Sequence, residues 1–295
     1  MRKEGFNMNK NIMIITDTCS DIRDEEIKTL DVEMVSMQIS FGDKTYSEGK
    51  DIDVDTFYNK LTNEKVFPHT SQPSPESYEK LYLKAKEEGR DVLVLTISSG
   101  LSGTVQSANI AIGLAEYEGH VTVVDTLNCL AAERLVVRTA CKLRDEGKSI
   151  EEIVEVINDI KGRIKIFGIV DTLEYFFKGG RLSKAAMVIG SLMHIKPFIR
   201  LDEKGKIVKF GQALGLVRAL KAVAEDLKKN PIDDNFELCY GYTMGEENVN
   251  KLIKQTQGVL NNHPYTVSRI SAAAGSHIGP GGLCVAYVMK KGGND

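Results

Sequence analysis

The feature that most restricts the fold of this 295-residue chain is a set of three short apolar runs: NIMIITD at residues 11–17, DVLVLTI at 91–97 and HVTVVDT at 120–126. A continuous apolar run of this length reads as a strand covered on both faces. Helical segments lie between and after the runs. ESYEKLYLKAKEEG places Tyr78, Leu81, Tyr82 and Ala85 on one side, and DVDTFYNKLTNE, SGTVQSANIAIGLAEYEG and NCLAAERLVVRTACKLRDEG also read as helices. VEMVSMQISF and the polar GDKTYSEGKD read as a strand and turn at a sheet edge. Strands alternating with helices predict a parallel sheet with helices on both faces.

The pattern changes after the helix SIEEIVEVINDIKGR. IKIFGIV reads as a strand, DTLEYFFKGGR as a short helix ending in two glycines, and KPFIRLDEKGKIVKFGQAL as a hairpin around Glu-Lys-Gly. SKAAMVIGSLMHI is apolar nearly all round, so it is expected to be a core helix or the wall of a cavity. LVRALKAVAEDLKK and EENVNKLIKQTQGVLNN read as helices, and FELCYGYT, YTVSRISAAAG and LCVAYVMK as strands. Hairpins mixed with helices predict a second, two-layer α/β domain. The boundary is placed near residue 165, giving domains of 1–165 and 166–295.

Lys+Arg 38 against Asp+Glu 41 gives a net charge of -3, with no general attraction to nucleic acid. The five cysteines include no CxxC pair, which predicts reduced thiols rather than a disulfide framework or a zinc site. MRKEGFNMNKNIMIIT has too short an apolar run for a signal peptide or a membrane span, and its first ten residues read as an extension. A cytoplasmic protein with small-molecule or protein partners is expected.

Four loops and two aspartates are candidates for chemistry. TISSGLSGTVQSA opens from an apolar strand into a Ser/Gly-rich turn. A nucleophile elbow, G-x-S-x-G, would need its second glycine one residue later than Gly103. The alternatives are an anion held by the free N–H groups of a helix start and by Ser102, or Ser102 as a plain cap. HTSQPSPESY sets Thr70, Ser71 and Gln72 on a proline-stiffened loop, or is simply a polar loop with Ser74 as a helix cap. In AAAGSHIGPGG, His277 sits in a glycine-rich loop that needs no histidine for turning. In FKGGRLS, Arg181 either reaches an anion or is solvated after a glycine cap. Asp17 and Asp125 close two apolar strands as ligand contacts or helix caps, and they lack further metal ligands.

Together these stretches resemble the DegV family. ITDTCSDI, TSQPSPESY, ISSGLSGTVQSA, VVDT, DTLEYFFKGGRLSKAAMVIGSLMHIKP and GSHIGPGGLCVAYV follow the family's order across residues 12–290. The resemblance implies a three-layer α/β/α domain with a parallel sheet, a two-layer α/β domain with a mixed sheet, and a lipid between them. It implies one long-chain fatty acid as ligand, no cofactor or metal, and no catalysis by the chain itself. Its partner would be the catalytic subunit of a fatty acid kinase, which phosphorylates the presented carboxylate. By motif, Thr70, Ser102 and His277 would hold that carboxylate, with Ser71, Ser98 and Ser99 as further candidates. Arg181 would lie near the head group or on the kinase-facing surface. Ser276-His277 replaces a frequent Thr-His, and Thr18-Cys19 departs from the usual opening motif. Burying about 16 carbons at ~0.8 kcal/mol per CH₂ supplies roughly 10 kcal/mol of gross driving force. The rival is an acyl-ester or acyl-phosphate hydrolase that uses Ser102 and His277.

Overall fold

The structure, a computed structural model, describes residues 11–183 and 194–292. The three apolar runs become strands as their composition predicts. Strands β1 (Ile12–Asp17), β2 (Val32–Val35), β6 (Asp91–Thr96) and β7 (Val121–Asp125) form an all-parallel sheet in the order β2-β1-β6-β7. Alternate side chains of β1 and β6 point to opposite faces. Met13, Ile15, Val92 and Val94 meet Tyr78, Tyr82 and Ala85 of α3 (Pro75–Glu88) and the alanines of α4 (Thr104–Ala115). Ile12, Ile14, Leu93 and Leu95 face the other way, towards α5 (Leu130–Asp145), behind which lies α6 (Ile150–Lys161).

The second half supplies β8 (Ile164–Ile169), β9 (Ile195–Leu201), β10 (Ile207–Leu214), β11 (Leu238–Tyr242), β12 (Tyr265–Arg269) and β13 (Leu283–Val288). They form a mixed sheet in the order β10-β9-β8-β13-β11-β12, in which only β11 and β12 run parallel. One face presents Cys239, Cys284 and Ala286 to α5. The opposite face, with Phe167, Tyr240, Val285 and Tyr287, is covered by α8 (Leu216–Lys229) and α9 (Glu246–Leu260). Helix α5 is therefore sandwiched between the two sheets. The boundary expected at residue 165 falls just inside β8.

That position explains the fully buried arginines of α5. Arg134 pairs with Glu26 of α1 (Asp24–Leu30) at 2.6 Å and donates to the Asp21 carbonyl at 2.6 Å. Arg144 donates to the carbonyls of Leu30 and Asp31. Charged side chains taken from water need such partners.

Three local expectations are corrected. VEMVSMQISF is not one strand: after β2 the chain leaves the parallel sheet, and the Met37 amide donates to Thr18 Oγ1 at 3.1 Å. It then enters a separate antiparallel sheet of β3 (Gln38–Phe41), β4 (Lys44–Ser47) and β5 (His69–Ser71), flanked by α2 (Val54–Asn63). Thr70 thus lies on a strand, opposite Ile39, rather than in a loop. AAAGSHI is likewise neither strand nor loop but helix α10 (Ala272–Ile278), which packs against the short α7 (Glu174–Lys178). Its first turn is held by Glu48, whose carboxylate accepts from the amides of Ala272 and Ala273. The segment SKAAMVIGSLMHI, expected to be a core helix or a cavity wall, lies almost wholly outside the described residues.

Glu26→Gln removes the charge that faces Arg134 while keeping the side chain's size. Leaving a buried cation without its counter-charge is expected to cost about 3 kcal/mol of stability. Urea unfolding checks this, and an unchanged midpoint would contradict the buried pair.

Candidate functional site

Where the mixed sheet, α10 and the loop ahead of α4 converge, a cavity holds about 790 Å³ of empty space, its mouth included. Its walls are largely apolar: Met37, Ile97, Leu101, Ile166, Val170 and Ile199 are representative. Thr70, Ser102, Arg181 and His277 line the same cavity, although they come from β5, the loop before α4, the segment after α7, and α10. Pockets of this character hold small apolar ligands oriented by a few polar groups.

The link between these elements is a hydrogen bond of 2.8 Å from Thr70 Oγ1 to His277 Nε2, whose direction depends on the imidazole tautomer. Buried Nδ1 of His277 has no partner among the described residues. The ring lies against Gly179, where a Cβ would come within 2.0 Å of Nδ1. The first glycine of the GGR motif therefore makes room for the histidine. Burial, then the charge of Arg181, then His69, holds the His277 pKa down to about 3, so the ring is neutral at physiological pH.

Arg181 donates through Nε to the Leu101 carbonyl at 3.1 Å and through Nη1 to the Gly179 carbonyl at 2.7 Å. Among the described residues it forms no ion pair, and burial lowers its pKa. A half-buried cation without a counter-ion beside two hydroxyls and a neutral imidazole is suited to an anionic group.

Ser102 does not cap α4. Its Oγ bonds Thr104 Oγ1 at 2.8 Å, and the cap position is Gly103. The rest of the Ser/Gly loop is explained by packing. Ser98 Oγ donates to the Gly205 carbonyl at 2.9 Å, and a Cβ on Gly100 would lie 2.5 Å from the Lys204 carbonyl oxygen. The loop is shaped to receive the β9–β10 turn. Ser99 and Ser71 are exposed and do not line the cavity.

The two aspartates hold backbone. Asp17 accepts from the amides of Cys19 at 3.0 Å and Ile97 at 2.8 Å, tying together the ends of β1 and β6. Burial raises its pKa to about 7. Asp125 accepts from the amides of Ser99 and Leu127. Among the described residues no group of three or more His, Cys, Asp or Glu is arranged to hold a metal. All five cysteines are buried and free. No helix among the described residues is long and apolar enough to cross a membrane.

Ser102 and His277 do not bond each other, and no carboxylate among the described residues orients the imidazole. The nucleophile–base–acid chain of a serine hydrolase is not assembled here. The contribution of β8 and β9 to the cavity wall was not anticipated from sequence. The alternate residues Ile166, Gly168 and Val170 of IKIFGIV were the available signal.

Two sheets sharing a helix layer, with an apolar cavity that gathers its polar side chains from four separate segments, define a two-sheet α/β protein with an apolar ligand pocket. The sequence profile described as "Uncharacterised protein, DegV family" matches residues 11–290, and the chain belongs to the DegV family. A DegV domain-containing protein of Clostridium acetobutylicum is 31% identical over 286 residues, covering 95% of this chain and 100% of the relative. The solved structure of a DegV family protein from Thermus thermophilus, described by its fatty acid binding, is 30% identical. It has a TM-score of 0.84 and covers 95% of this chain and 100% of its own. DegV of Bacillus subtilis, described as a fatty acid binding protein, is 27% identical with a TM-score of 0.81, covering 95% and 99%.

An NMR titration of the unliganded protein is expected to show the His277 ring neutral down to about 3, against 6.5 for a free imidazole. Because the folded pKa is the lower one, the unfolded chain takes up the proton first. The stability contributed by this residue is complete above 6.5 and is lost as pH falls towards 3. Titration near 6.5 in the folded protein would contradict the packing described.

Proposed function

We propose that the protein binds one long-chain fatty acid in this cavity, between the units 1–165 and 166–295, and presents its carboxylate to a separate kinase subunit in the cytoplasm. The observation that carries this reading is the cavity's composition: apolar walls, with Thr70, Ser102, His277 and unpaired Arg181 as its polar side chains of interest. The fatty-acid-binding descriptions of the Thermus and Bacillus structures support it.

In this reading the carboxylate receives hydrogen bonds from the Ser102 and Thr70 hydroxyls and from His277, whose neutral ring donates without sealing the anion in a tight ion pair. Arg181 supplies compensating charge from the same wall. The carboxylate oxygen then stays nucleophilic. It attacks the γ-phosphorus of ATP held by the kinase subunit, the bond to ADP breaks, and an acyl phosphate forms. The chain itself acts as carrier rather than enzyme. The separation of Ser102 Oγ, bonded to Thr104, from His277 supports this over the hydrolase alternative.

Mass spectrometry of the purified, denatured protein is expected to release free fatty acid. A fluorophosphonate adduct on Ser102 accompanied by ester turnover would contradict the carrier. Adding a purified fatty acid kinase catalytic subunit with ATP is expected to yield acyl phosphate, trapped as a hydroxamate. Its absence with lipid bound would leave a binding protein that serves some other partner.

Ser102→Ala and His277→Ala each remove a donor to a charged group. Each is expected to weaken fatty-acid affinity by roughly tenfold or more while the melting curve is retained. Unchanged affinity in both would remove this carboxylate site.

A further inference from the structure

The hydrogen-bonded ladder of the mixed sheet splits beside the cavity. β8 pairs with β13 along its whole length, from Ile164↔Val288 to Ile169↔Leu283. With β9 it pairs only at Gly168↔Ile199 and Ile169↔Phe198. Beyond Ile199 no ladder pair joins the start of β8 to Arg200 and Leu201. A second hollow of about 1380 Å³, open to solvent, lies over this split on the α8 side, where Asp226, Asn230 and Tyr287 line it. Ile166, Arg200 and Leu201 line both the internal cavity and this outer hollow.

The split lies down-strand from the polar cluster. Val170 lines the cavity just before the segment that carries α7 and Arg181, and Ile166 lies four residues earlier, about 13 Å along a strand. Phe167 and Phe210 line the outer hollow, with their rings 4.8 Å apart. Arg200 covers it, with its guanidinium 5.3 Å from the Phe210 centroid. Arg200 is exposed and, among the described residues, forms no ion pair. An exposed cation–π contact is a weak latch.

We propose that the split between β8 and β9 is the tail-side opening of the cavity, and that Ile166, Leu201 and the Arg200–Phe210 contact set the longest acyl chain the protein accepts. The inference rests on the fatty-acid reading above and adds where the methyl end goes. A chain too long for the internal cavity passes between the strands, displaces the Arg200 side chain and lays its end on the phenylalanine rings. The chemistry selected is thus a long, unbranched acyl tail with an apolar terminus.

The test is competitive binding of lauric, stearic and behenic acids to the delipidated full-length protein, with bound acid read by mass spectrometry. Wild type is expected to retain behenic acid. Ile166→Trp fills the split, and each methylene kept out of an apolar site costs roughly fourfold in affinity. The ratio of behenic to lauric affinity is therefore expected to fall roughly tenfold or more. Leu201→Phe, a smaller change at the same place, is expected to shift the ratio in the same direction and serves if the tryptophan variant does not fold. Arg200→Ala is expected to speed behenic entry. A chain-length profile unchanged in folded Ile166→Trp or Leu201→Phe overturns the opening alone. Failure of wild type to bind any of the three acids overturns the fatty-acid reading with it.

Discussion

His277 reaches the cavity because two buried carboxylates hold the other end of its helix. α10 has seven residues, too few to persist without tertiary support. Glu48 accepts the amides of Ala272 and Ala273, and Asp21 accepts the amide of Ser271 at 2.9 Å. Thr18 completes the arrangement by donating to Glu48 at 2.6 Å. Side-chain oxygens at a helix N-terminus answer its unpaired N–H groups. Desolvation opposes this and raises both acids, Asp21 to about 8. Backbone amides offset part of that cost, and the far end of the helix is fixed against β5 and α7.

From that anchor the rest of the site follows. The residues that clamp α10 come from the first half of the chain, as does Thr70, whereas the helix belongs to the second half. The Thr70–His277 bond spans 207 positions, and the Tyr58 hydroxyl donates to the Ile270 carbonyl across 212. α5, buried between the sheets, supplies the second brace through Arg134 and Glu26. The cavity forms beside the start of α5, where Cys129 and Leu130 line it. Its imidazole is neutral, and Arg181 forms no ion pair among the described residues. An arriving anion therefore displaces no resident carboxylate.

Much of the fold is legible in the sequence because strands covered on both faces give continuous apolar runs, as NIMIITD and DVLVLTI do. The Glu-Lys-Gly turn likewise marks β9 and β10. What was not legible depends on distant partners. VEMVSMQISF alternates weakly throughout, and only the Thr18 hydroxyl receiving the Met37 amide shows where it leaves one sheet for another. AAAGSHI becomes a helix because Glu48, more than 220 positions away, caps it. At the site, local pattern left Ser102 undecided between anion donor and helix cap. The family motifs brought Thr70, Ser102 and His277 together, and the structure lines one cavity with all three and with Arg181. Ser71 and Ser99 share the same polar composition but face solvent, a difference of side-chain direction that composition does not carry.

The central claim concerns where an acyl carboxylate sits. A crystal structure of the protein saturated with a long-chain fatty acid tests it most directly. The account predicts the carboxylate within hydrogen-bonding distance of Ser102 Oγ, Thr70 Oγ1 and His277 Nε2, with the chain running along Ile199 and Ile166. A chain bound with its methyl end at His277, or bound outside this cavity, would contradict it.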